Sequence, residues 1–168
     1  MFRMAVMRSL TGAAVVAAGC SFGMMDSNLA TQLLSVSPSG GATGVAASSD
    51  VVLSFSRPMM AGMEQYLALH QDRITSPTMP MNCAWSADRM TLTCHPDQPL
   101  APATRYAVHM GGGMMDAEGR GVGMGRYGMG RGGRWATGGM MSGQTGMMGT
   151  GWACGNGSYG MVFEFTTQ

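Results

Sequence analysis

Lysine is absent, and all ten basic residues of the 168 are arginine. Charge of either sign is scarce, at 11% of residues, and the formal balance of +1 argues against a nucleic-acid partner, which would want a basic face. Long apolar runs are also missing. The longest near the N-terminus, Leu10 to Ala18, is too short to span a bilayer. Histidine occurs three times, as His70, His95 and His109, and no pair has the helical spacing of a metal site. No Ser or Cys sits in a nucleophile elbow, and no glycine loop follows a strand and opens a helix. His95, between Cys94 and Pro96, reads as a strand-end residue. These absences point away from an enzyme.

Glycine and methionine are abundant instead. Hydrophobic residues make up 45%, but the chain holds 21 Met and 27 Gly. Its length suits one domain. The start reads as an export signal over residues 1–19: Arg3 and Arg8, then Leu10 to Ala18, then small residues before Cys20. It resembles a bacterial lipoprotein signal, in which the cysteine is lipidated and becomes the new N-terminus. Position 17 is Ala where that family most often has Leu. Ordinary cleavage with Cys20 incidental is the alternative. Without residues 1–19, eight Arg face nine acids, a net charge of −1. Ser21, rather than Asp, follows the cysteine. The resemblance thus implies an anchor in the outer membrane, facing the periplasm. Residues 20–31 then form a polar tether.

From residue 32 the pattern is of strands. Val51, Leu53 and Phe55 alternate with Val52, Ser54 and Ser56, and Pro58 stops the run. Gln32–Ser37 precedes it and Glu64–His70 follows, with Ser76–Pro80 as a connection. Met81–Trp85 and Met90–His95 form a hairpin around Ala87-Asp88-Arg89. A two-residue loop of Asp88 and Arg89 would set Trp85 opposite Leu92 and Cys83 opposite Cys94. Opposed cysteines at a non-hydrogen-bonded pair can bond, and an exported chain meets an oxidising compartment. Closing that loop would stabilise by about 3 kcal/mol. Two free thiols or a slipped register are the alternatives, since the loop lacks Gly. Tyr106 opens a strand just after the proline-rich corner Pro99 to Pro102, the placement of a tyrosine corner. Met161, Phe163 and Phe165 mark the last strand.

Ser37-Pro38, Gly41-Ala42-Thr43-Gly44-Val45, Val52 to Met59, Trp85-Ser86-Ala87-Asp88, Thr91-Leu92-Thr93, Pro99 to Pro102, Thr104-Arg105-Tyr106, Asp116-Ala117-Glu118-Gly119 and Phe163 to Thr167 appear in this order. Together they resemble the bacterial Ig-like domain of S-layer and other cell-surface proteins, over residues 33–118 and 161–168. The resemblance implies an all-β, antiparallel Greek-key sandwich over 32–168, acting as a spacer or binding module without catalytic residues. The departure lies in one place: about 40 residues separate Asp-Ala-Glu-Gly from the last strand, where the family has a few.

That insertion, residues 111–160, is dominated by Gly and Met. No period of 2 or 3.6 persists, so neither helix nor strand is expected. Glycine makes ordering costly, at roughly 1–2 kcal/mol per residue fixed, so a disordered surface loop is expected. Two readings compete. Thioethers are soft ligands suited to Cu(I) or Ag(I). Three or four sulfurs from among Met110, Met114, Met115, Met124, Met129, Met140, Met141, Met147 and Met148 could wrap such an ion, with Cys154 adding a thiolate and His109 an imidazole for Cu(II). Alternatively, Met serves here as a hydrophobe or an oxidation sink. The combination is similar to periplasmic copper-resistance proteins that pair an Ig-like sandwich with Met-rich segments, although the chain lacks their histidine at the mature N-terminus. Arg120, Arg126, Arg131 and Arg134, interleaved with Tyr127 and Trp135, would suit RNA, but export argues against that and anionic lipid headgroups fit better. The reading reached is a non-catalytic envelope lipoprotein that handles copper, with a structural or adhesive module as the rival.

Overall fold

Strands with alternating apolar residues need a second sheet to bury the apolar side. The computed structural model describes residues 30–123, 133–137 and 158–168. Among these residues lie β1 (Thr31–Ser37), β2 (Val51–Phe55), β3 (Leu67–Gln71), β4 (Thr78–Met79) and β5 (Met81–Trp85). They are followed by β6 (Thr91–Pro96), β7 (Arg105–Met110), β8 (Val122–Gly123), β9 (Gly133–Thr137) and β10 (Ser158–Thr166). One sheet has the order β5-β6-β2-β1-β8 and the other β4-β3-β7-β10-β9. All pairs are antiparallel except the two-residue β1–β8 pair, which is parallel. The chain changes sheet after β2, at Pro80 between β4 and β5, after β6, after β7 and after β8, as in a Greek-key sandwich.

The core is the set of inward positions that the alternation marks. Leu33, Val51, Leu53, Phe55, Leu92 and Cys94 come from the first sheet. Leu67, Leu69, Tyr106, Val108, Met110, Met161, Phe163 and Phe165 come from the second. Each fully buried aliphatic or aromatic side chain contributes about 1.5–3 kcal/mol relative to exposure. Tyr106 also caps the corner. Its ring stacks on Phe165 at 5.6 Å, and its hydroxyl accepts a hydrogen bond from the Ala101 N–H at 2.8 Å. This is the tyrosine-corner arrangement expected from the placement of that residue.

Several boundaries differ from the pattern reading. The segment Glu64–His70 begins as a 3-10 turn, Met63–Tyr66, and becomes strand only at Leu67. Gly62, in the left-handed region at φ 82°, turns the chain and sends Met63 into the interior. The connection Ser76–Pro80 contains β4, which pairs with β3 through Leu69 and His70. Thr31 is not tether: it is buried at the start of β1. In the hairpin, Trp85 does face Leu92 and Cys83 faces Cys94. The turn is wider than two residues, with Ser86 and Thr91 still paired by an N–H···O bond of 2.8 Å. Arg89 takes the left-handed conformation at φ 54°, and Asp88 accepts from the Ser86 hydroxyl and the Met90 N–H. Widening the loop by one residue on each side preserves the register.

The largest revision concerns the ends of the insertion. Residues 111–123 belong to the fold. The Gly111 N–H donates to the Tyr66 carbonyl, Met114 is in the core, and Val122 joins β1. At the far end, β10 starts at Ser158 and Gly160 sits at φ 97° against the backbone of Met110, where any Cβ would overlap the Met110 carbonyl. Between them, Gly133–Thr137 forms the edge strand β9 on β10, so part of the stretch expected to lack strand is strand. Pairing with a formed edge supplies backbone hydrogen bonds that no hydrophobic period announces.

Candidate functional site

The residues named from the sequence fall into three groups. Cys83 and Cys94 are bonded, with an S–S distance of 2.01 Å and Cα atoms 4.0 Å apart. Met110, Met114 and His109 are buried within the described fold. Met115 is half-buried, and its N–H donates to the Met63 sulfur at 3.2 Å. Cys20, Met124, Met129, Met140, Met141, Met147, Met148 and Cys154 lie outside the described residues. Met110 and Met114 are thus core hydrophobes rather than loop ligands. The inward alternation of β7 places Met110 beside Val108, and the turn after β7 returns Met114 to the same core.

Two polar arrangements stand out. The first is Asp116, whose side chain is buried. It opens the turn Asp116-Ala117-Glu118-Gly119, which Gly119 closes at φ 78°. One carboxylate oxygen accepts from the Thr31 hydroxyl at 2.6 Å and the Arg120 guanidinium at 2.7 Å. The other accepts from the N–H groups of Glu118 and Arg120, both at 2.9 Å. Burial pushes this carboxyl up. The Thr31, Arg120 and backbone donors outweigh that and bring it down to about 2. Arg120 is raised by the same carboxylate and also reaches Glu118 at 2.7 Å. With its lone pairs so engaged, Asp116 ties the turn to the first strand and is not free to act as a base.

The second arrangement was not singled out in the sequence. His70 on β3 and His109 on β7 are both fully buried, with ring centroids 6.0 Å apart. Both lie on the outer face of the second sheet, because Leu69 and Val108 point into the core. His70 Nδ1 lies 2.7 Å from the Ser76 carbonyl oxygen. Desolvation lowers the His70 pKa, against a smaller opposing effect of that hydrogen bond. A signal existed: Leu67-Ala-Leu-His70 and Tyr106-Ala-Val-His-Met110 are apolar on both parities, as strands buried on both faces are. His95, by contrast, is exposed and paired with Asp50 at 2.7 Å.

Among the described residues, no group of three or more His, Cys, Asp or Glu could hold a metal ion. No helix among them is long and apolar enough to cross a membrane.

No curated protein sequence matches the chain. Several solved structures resemble it in fold. PcoC, described as a methionine-rich copper resistance protein from Escherichia coli, is 15% identical with a TM-score of 0.47, over 83% of this chain and 99% of that one. CopC from Methylosinus trichosporium OB3b is 16% identical with a TM-score of 0.46, over 82% of this chain and 93% of that one. Domains 1 to 6 of the surface-layer protein SbsC are 12% identical with a TM-score of 0.46, over 84% of this chain. The match spans only 14% of that S-layer chain. These likenesses are of fold alone. The bacterial Ig-like domain family model, however, matches residues 27–127, more than half of the sequence. Both the sandwich and this match lead to one statement: the chain belongs to the bacterial Ig-like domain family.

Proposed function

We propose that this chain is a non-catalytic, extracytoplasmic Ig-like module, held to the cell envelope through lipid on Cys20, that binds Cu(I) or Ag(I) through methionines of its Gly/Met-rich segment. The observation that carries the reading is the surplus of methionine. Of 21 Met, the core uses Met59, Met63, Met110, Met114 and Met161. Of the other sixteen, Met124, Met129, Met140, Met141, Met147 and Met148 lie together in a segment whose glycine content gives no reason for a second core. Thioethers favour soft monovalent ions, and glycine lets a chain adapt to them. The rival reading, a structural or adhesive module, draws support from Met110 and Met114, which show methionine in this chain serving as a plain hydrophobe.

The deciding measurement is a competition titration of the mature protein against a Cu(I) chelator. Changing those six methionines to Leu is the right perturbation, because cutting out the segment would also remove β9. The variant should lose most Cu(I) binding while keeping its thermal unfolding transition. Zn(II), which wants nitrogen and thiolate, should bind far more weakly to either protein. Equal Cu(I) binding by variant and parent would remove the segment from the site. No binding by either would leave the structural reading.

A further inference from the structure

Sandwich sheets ordinarily turn polar side chains outward from the core. The outer face of β3, β7 and β10 departs from that rule: Ala68, His70, Ala107, His109 and Val162 are all buried there. His109 pairs with Ala68, and His70 with Ala107, so the two imidazoles stand at diagonal positions on neighbouring strands. Their planes are tilted by 40°. The Ser76 carbonyl can only accept, so the 2.7 Å contact means that His70 Nδ1 carries the proton. Nε2 then presents a bare lone pair, and it is buried without a hydrogen-bond partner. An acceptor left in that state costs about 1–3 kcal/mol. A histidine that donates one ring N–H to a backbone carbonyl and keeps the other nitrogen bare is held as metal-ligating histidines are held.

We propose that His70 and His109 form a two-imidazole site for a monovalent d10 cation, Cu(I) or Ag(I), on the outer face of the second sheet. Its two ligands are separate from the methionines of the Gly/Met-rich segment. With metal–nitrogen bonds of about 2 Å, two imidazole centroids across one ion stand roughly 5 to 6.3 Å apart as the angle opens from tetrahedral to linear. The observed 6.0 Å falls inside that range, at an angle of roughly 145° for an ion held between the two rings. Two-coordination satisfies Cu(I) and Ag(I). It does not satisfy Zn(II), which takes four ligands, and among the described residues no third His, Cys, Asp or Glu joins the group. His70 loses no proton on binding, because its Nε2 is already bare, and a single charge is the least costly one to bury.

The test uses the full mature chain with 15N-labelled histidine and diamagnetic Ag(I). One equivalent should move the imidazole resonances of His70 and His109 together and leave those of exposed His95 in place. The six-methionine variant should show the same shifts, which separates this site from the segment. His70→Leu should weaken the nitrogen-ligated site by about 100-fold or more. Unmoved His70 and His109 resonances at saturating Ag(I) would overturn the proposal without any variant having to fold. So would undiminished nitrogen ligation in a folded His70→Leu protein. Disappearance of these shifts in the methionine variant would assign the ion to the segment instead.

Discussion

Asp116 keeps a full charge with 1% of its side-chain surface exposed, because four donors replace the water it has lost. Its folded value, about 2, lies below the ordinary 3.8, so the fold favours the carboxylate. The resulting stability is present above pH 3.8 and lost as pH falls through about 2. His70 is also depressed, from 6.5, but there the fold favours the neutral imidazole. That stability is complete above pH 6.5 and begins to go as pH falls below it. Urea-unfolding midpoints should therefore hold steady above neutrality, drop first below pH 6.5, and drop again below pH 3.8. Asp116→Asn should cost about 3 kcal/mol at neutral pH, because it leaves buried donors and Arg120 without the charge they face, and should erase the second drop. A variant as stable as the parent at pH 7 would show that the turn stands without this carboxylate. The Asp-Ala-Glu-Gly motif was legible as a family mark. Its use as an anchor for Thr31, 85 residues away, was not, since nothing local in either segment refers to the other.

At the scale of elements, alternation was a good guide wherever one face meets the core and the other meets solvent. β2 and β6 follow it, and the expected pairings of Trp85 with Leu92 and Cys83 with Cys94 hold although the turn is wider than two residues. It was a poor guide to short elements. β4, β8 and β9 have two, two and five residues and no apolar period, and each forms because a neighbouring strand offers an edge. The hairpin of β5 and β6 carries the element-scale prediction. β5 is the outermost strand of its sheet, so the cross-link to Cys94 binds an edge to the interior. Replacing both cysteines with Ala should lower unfolding free energy by about 3 kcal/mol. Reductant should lower the parent protein by a similar amount and leave the double variant unchanged. A parent protein indifferent to reductant would mean that the loop constraint adds nothing to stability.

For the whole molecule, the order of strands puts β1 inside its sheet, between β2 and the short edge strand β8. A chain entering through β1 is thus bound to the sandwich at once, and a tether ending just before Thr31 would transmit an anchor directly to the fold. The proposed lipid on Cys20 is tested by metabolic labelling with a fatty-acid analogue. The parent protein should be marked and Cys20→Ser should not. Equal marking of both would place the lipid elsewhere, and no marking of either would leave an unanchored exported domain.

The sequence by itself determined the fold class, because period-two hydrophobicity, proline corners and a tyrosine at a strand start each constrain the backbone locally. It also named Cys94 as a candidate partner of Cys83, with free thiols and a slipped register still open, and the structure made that pairing. Tertiary structure alone decided which methionines are core, and where the insertion stops being fold. It also brought His70 to His109. Those outcomes depend on packing between strands distant in the chain: Met114 and the two imidazoles are placed by what lies across and over the sheet, and local pattern carries no record of that.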